Sequence, residues 1–101
     1  MKTKDFEIND NAFLRQFEAT IEDELVTLEY SEQERKIFLS KLTVAENLQE
    51  KGYQEIFLTK IFDYLAEKEK LKVVPTSKEV RKFFRKNKEK YSELLPIGIN
   101  I

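Results

Sequence analysis

The chain has no cysteine and no histidine among its 101 residues. Those two absences remove disulfides, thiolate and imidazole metal ligands, cysteine nucleophiles and every Ser-His-Asp arrangement. Any proton acceptor must then be a carboxylate, a phenol, an amine or water. Long apolar runs are also lacking: the longest fall far below a membrane span. The opening residues Met1, Lys2, Thr3, Lys4 and Asp5 supply no apolar core of the kind a signal peptide needs, so a cytoplasmic protein is expected. Nor is there an excess of either charge. With 18 Lys plus Arg against 19 Asp plus Glu, the formal net charge is −1, which gives no whole-molecule bias toward nucleic acid or an anionic membrane. Glycine occurs only twice.

What is present suits a folded domain. The hydrophobic fraction is 41% and the aromatic fraction 12%, and a chain of 101 residues buries one modest core, so residues 1–101 are expected to form a single domain. No internal repeat or linker interrupts it.

In chain order, Phe6 and Ile8 alternate with charged neighbours ahead of the turn-forming cluster Asn9, Asn11 and Asp10, which predicts a short leading strand. From Phe13 the odd positions Phe17, Ala19 and Ile21 are apolar while Gln16, Glu18, Thr20 and Glu22 are polar, the period of a half-buried strand. Glu22 and Asp23 form a polar break. Val26, Leu28 and Tyr30 then alternate in a second strand, which pairs with the first as a hairpin. After a turn over residues 31–34, residues 37–44 are apolar on both parities. Phe38, Leu42 and Val44 fall on one side and Ile37 and Leu39 on the other, as in a central strand covered on both faces. Lys41 is the exception, read either as a lysine snorkelling to the sheet edge or as a functional charge.

A polar bend over residues 46–52 places Gly52 where this strand hands over to a helix. A glycine there allows close backbone approach, and the free N–H groups of the helix start form an anion seat. Helical spacing of Tyr53, Ile56, Phe57, Leu58, Ile61, Phe62, Tyr64 and Leu65 predicts an amphipathic helix over residues 53–70, with Glu55, Thr59, Asp63 and Glu67 on its wet face. Residues 71–75 read as a buried strand stopped by Pro75, parallel to the strand before the helix. Thr76 to Glu79 fits a capping box with Thr76 as N-cap, opening a helix that packs through Val80, Phe83, Phe84 and Tyr91. Its outer side carries Lys78, Arg81, Lys82, Arg85, Lys86, Lys88 and Lys90, either a solvated face or a phosphate-contacting patch. The tail over residues 96–101 is a last strand or a loose end.

The residues therefore give a mixed α/β (α+β) fold, an antiparallel meander leading into a βαβ unit with a C-terminal helix. The strand ending in Thr43 and Val44, the run Gln49-Glu50-Lys51-Gly52-Tyr53-Gln54, the long helix and the strand ending at Pro75 together resemble the small single-domain branch of the GNAT (GCN5-related) N-acetyltransferases. That family's motif is Arg or Gln, two residues, Gly, one residue, then Gly or Ala. Gln49 and Gly52 match it. The resemblance implies a GNAT-like acyl-CoA N-acyltransferase fold, acetyl-CoA as cosubstrate, no metal, and an unidentified amine acceptor. It places Thr43 and Val44 along the pantetheine and Gln49, Glu50, Lys51, Gly52, Tyr53 and Gln54 around the pyrophosphate. It implies direct attack of an amine on a thioester polarised by a strand N–H.

The departures are specific. Gln54 stands where the family has a small residue, and Glu50 adds a negative charge beside a phosphate site, a repulsion of about 4 kcal/mol at ~4 Å and an effective dielectric of about 20 unless Lys51 offsets it or Glu50 points away. Ser77 and Lys41 occupy the positions of the small branch's cysteine and histidine. Ser77 is the candidate catalytic side chain, with local backbone bonding as its other reading. The alternative function is a non-catalytic binding or assembly module that has lost the cofactor.

Overall fold

The computed structural model describes residues 6–68 and 71–96. Five strands, β1 (Asn9–Asn11), β2 (Gln16–Ile21), β3 (Glu24–Gln33), β4 (Lys36–Thr43) and β5 (Lys72–Pro75), form one sheet in sequence order. The first four are antiparallel and β5 runs parallel to β4. Helices α1 (Glu46–Glu50) and α2 (Tyr53–Ala66) connect β4 to β5, and α3 (Lys78–Lys86) with a short 3₁₀ turn (Ser92–Leu94) follows.

The meander is set by two-residue turns in which Glu22, Asp23, Glu34 and Arg35 all have positive φ, between 50° and 68°. Such turns match the right-handed twist of the flanking strands, and here charged residues adopt a conformation for which glycine or asparagine is the usual choice. β3 therefore continues through Gln33, and the turn expected at residues 31–34 is confined to Glu34 and Arg35. The leading strand is displaced as well: Asn9, Asp10 and Asn11, read from composition as a turn, form β1, while Phe6 and Ile8 precede it. Side-chain amides explain the reversal, because Asn9 (3.4 Å) and Asn11 (3.0 Å) of β1 and Gln16 (2.6 Å) of β2 all donate to the Glu18 carboxylate. Those bonds hold the Glu18 carboxyl below its ordinary range, Gln16 contributing most. Phe13 lies in the turn before β2 and is 93% exposed, so the period-two pattern extends one turn too far toward the N-terminus.

Registers Phe17↔Leu28, Ala19↔Val26 and Tyr30↔Leu39 place the apolar set on one face of the sheet. The expectation of a β4 covered on both faces is not met: Phe38 on the other face is only half-buried, and Ser40, Lys41 and Thr43 are exposed. The cause is a bulge. Glu29 pairs with Lys41 and Tyr30 with Leu39, so Ser40 is an extra residue, and its hydroxyl donates to the Glu29 carbonyl at 3.1 Å. The added residue returns Leu42 and Val44 to the side of Ile37 and Leu39, which a regular strand would place opposite. Lys41 is exposed opposite Glu29.

Over the apolar face, α2 buries Tyr53, Phe57, Leu58, Ile61, Phe62 and Leu65. It ends at Ala66 rather than residue 70; residues 69–70 and the tail over residues 97–101 lie outside the described residues. Phe62 meets Phe83 (5.0 Å), Phe84 (5.3 Å) and Tyr91 (5.1 Å) between ring centroids, joining α2 to α3 and the segment after it. α2's polar face is not simply wet, because Asp63 accepts from the Tyr91 hydroxyl at 2.7 Å and Glu55 pairs with Lys86 at 2.7 Å. Burial and Asp63 push the Tyr91 phenol above its usual range. α3 closes at Lys86, where Asn87 Nδ2 donates to the Phe83 carbonyl at 2.9 Å, so Lys88 and Lys90 lie beyond it. Among the described residues no helix is long and apolar enough to cross a membrane, and no three acidic side chains gather as metal ligands.

Candidate functional site

The parallel pairing of β4 with β5 runs from Lys36↔Lys72 to Leu39↔Pro75 and stops there. Pro75 has no N–H to continue a ladder, and the chain turns away behind it. The Leu39 carbonyl absorbs the turn, accepting from the Thr76 amide (3.0 Å), the Ser77 amide (3.2 Å) and the Thr76 hydroxyl (2.9 Å). β4 meanwhile is bent by its bulge and continues through Ser40, Lys41, Leu42 and Thr43 beside β3 with no partner from β5 among the described residues. The two strands thus form a fork, with Leu39 and Pro75 at its base and the β4 main chain along one arm.

At the end of that arm stands the mouth of α2. The expected polar bend is the five-residue helix α1, whose end is closed by Lys51 N–H to the Leu48 carbonyl (3.2 Å) and Gly52 N–H to the Gln49 carbonyl (3.1 Å). Gly52 sits at φ 85°, and a Cβ added there would meet nothing within 4 Å. Its role is therefore the left-handed backbone that joins α1 to α2, not the close approach anticipated from the sequence. Gly52→Ala is expected to cost about 1–2 kcal/mol, wholly from the backbone, and to lower Tm by about 4–8 °C per kcal/mol in a thermal melt.

No side chain caps the first turn of α2. Beside it, Gln49, Gln54 and Glu55 face Glu79, Lys82 and Lys86 of α3 across a groove of about 450 Å³. The Lys86–Glu55 pair spans this groove. Gln49 also donates through Nε2 to the Val44 carbonyl at 2.9 Å, tying α1 to the end of the fork.

The structure brings Gln49 and Gln54 to this mouth, ties Val44 to Gln49, leaves Thr43 on the β4 arm opposite Thr27, and sets Ser77 at the base of the fork. It takes Lys51 elsewhere: its ammonium lies 2.8 Å from Glu22 at the β2–β3 turn, and that bond, with the charge of Lys51 and a weaker bond from Tyr53, holds the Glu22 carboxyl below its usual range. Lys51 therefore does not offset Glu50, which is exposed at the end of α1. The Tyr53 ring is buried against Phe6, 6.2 Å between centroids. Ser77, not Thr76, is the residue immediately before α3, and the capping box is absent: Thr76 bonds Leu39, while the Ser77 hydroxyl donates to the Glu79 carboxylate at 3.0 Å rather than to backbone. At 7% exposure, Ser77 is the one polar residue in the buried set among the described residues. The sequence named Lys82 and Lys86 only within a basic run, as a solvated face or phosphate-contacting patch, and Glu79 only as a capping residue, so their place along this groove was missed. Their signal was a spacing of three to four residues along one side of α3, submerged in a longer basic run.

A family model described as GCN5-related N-acetyl-transferase matches residues 16–94. The chain belongs to the GCN5-related N-acetyltransferase family. No curated protein matches it. The matched span covers β2 to the 3₁₀ turn, and so the fork, the mouth of α2 and Ser77 all lie inside the GNAT region. Within this GNAT chain Gln54 lines the groove, and Lys41 is exposed on the open face of the sheet.

Proposed function

We propose that the protein is an acetyl-CoA-dependent N-acetyltransferase, and that the fork between β4 and β5, opening onto the uncapped start of α2, is its cosubstrate site. The fork carries the reading because it leaves main-chain groups of β4 unused by β5 beside the positive end of a 14-residue helix. In this reading Thr43 and Val44 lie along the pantetheine, and the turn from Gln49 to Gln54 lies by the pyrophosphate, with Glu50 directed to solvent. The acceptor enters as a neutral amine. Its nitrogen attacks the thioester carbonyl carbon, the C–S bond breaks, and the proton lost from nitrogen ends on the departing CoA thiol, giving an amide and free CoA. A strand N–H polarising the carbonyl and a fixed geometry supply the rate, which asks little of side chains in a chain without cysteine or histidine. Ser77, whose amide bonds the Leu39 carbonyl at the base of the fork, is assigned to the leaving sulfur. A cytoplasmic setting is part of this reading.

A second reading, a GNAT-like module without catalysis, is favoured by one observation: the Lys51 and Gly52 amides are already bonded within α1. Calorimetric titration with acetyl-CoA, followed by an acetylation assay over primary amines, separates the two. Heat of binding with transfer to an amine is the expected result. Binding without transfer leaves the module, and no heat at millimolar ligand removes the cosubstrate site.

A further inference from the structure

The charges at the mouth of α2 balance rather than accumulate. Glu55 and Glu79 line its groove, Lys86 is paired with Glu55, and Lys51 is held by Glu22. The surplus of positive charge lies one groove away. Lys78, Arg81, Lys82 and Arg85 recur at i, i+3, i+4 and i+7, one face of a helix extending about 10 Å. With Thr76 they line a groove of about 370 Å³ in which every charged residue is a cation. All four are exposed, and Lys82 lines both grooves, so a ligand lying along the first passes directly to the second.

We propose that this stripe on α3 holds the 3′-phosphate of the coenzyme, beyond the pyrophosphate that lies by the Gly52 turn. The assignment rests on the acetyl-CoA reading above. A phosphate monoester dianion demands several donors and no neighbouring carboxylate, and two arginines one helical turn apart provide forked donors for it. The Gly52 turn cannot match that: its amides are committed, its lysine is committed, and Glu50 stands beside it.

The test is calorimetric titration of CoA and of dephospho-CoA, which lacks the 3′-phosphate, into the wild type, an Arg81→Gln/Arg85→Gln double variant and a Lys88→Gln control outside both grooves. The wild type and the control are expected to bind CoA at least about tenfold more tightly than dephospho-CoA. The double variant is expected to lose that preference while keeping its affinity for dephospho-CoA, with a shallower dependence on salt. Equal binding of the two ligands by the wild type, or an unchanged preference in the double variant, overturns the assignment and leaves the acetyl-CoA reading standing. Absence of heat with either ligand in the wild type overturns both. Circular dichroism on the double variant reports that α3 is intact.

Discussion

Phe62→Ala is expected to destabilise the protein by about 3–5 kcal/mol, against a total of about 5–15 kcal/mol for a domain of this size. Phe62 is fully buried on α2 and is the only ring there, among the described residues, that meets three others: Phe83, Phe84 and Tyr91. Truncation removes its transfer free energy, opens a cavity between α2 and α3, and deletes edge contacts worth about 0.5–1.5 kcal/mol per aromatic pair. Urea unfolding should show the loss as a lower midpoint. Phe62→Leu should recover most of it, because a leucine refills the bulk of the cavity without the ring contacts. Substitution of Tyr64, which is 38% exposed on the same helix, should cost far less. A loss under about 1 kcal/mol for Phe62→Ala would show that α3 does not depend on this cluster for its seat.

How much of this was legible beforehand depends on which force decided each element. Where burial decides, the sequence is transparent: Phe17, Ala19 and Ile21 against Val26, Leu28 and Tyr30 announce a hairpin, and the stripe through Phe57, Ile61 and Leu65 announces α2. Where local conformation or side-chain bonding decides, it is opaque. Glu34 and Arg35 turn without glycine, and β1 exists because asparagines reach Glu18, not because its residues favour strands. The Ser40 bulge was hidden for a different reason. Apolar residues on both parities are the mark of a strand buried on two faces, but also of a strand buried on one face that carries an extra residue. The candidate site follows the same division. Gln49 and Gly52 could be placed from the resemblance, whereas the commitment of Lys51 to Glu22, 29 positions apart, and the wall formed by Glu79, Lys82 and Lys86 required the fold.

Deleting Ser40 is expected to leave the fold standing and to weaken acetyl-CoA binding by at least about tenfold. Without Ser40, Leu39, Lys41 and Leu42 oppose Tyr30, Glu29 and Leu28 one to one, and each side chain keeps the face it now occupies. The cost to stability is then close to that of one lost hydrogen bond, the Ser40 hydroxyl to the Glu29 carbonyl, or about 1 kcal/mol. The fork fares differently. A regular β4 keeps its β3 partners but loses the bend that carries it away from β5, so the arm from Lys41 to Thr43 changes course relative to the mouth of α2. A thioester seated along that arm would be misplaced with it, and ~1 Å already costs about a hundredfold in positioning. Ser40→Ala separates the bulge from its hydroxyl: it keeps the extra residue, and is expected to bind acetyl-CoA as the wild type does. Paired thermal melts and titrations decide the matter. Intact binding after the deletion would place the cosubstrate elsewhere than the fork, and unfolding by the deletion would make the bulge a structural necessity of the sheet rather than the device that opens it.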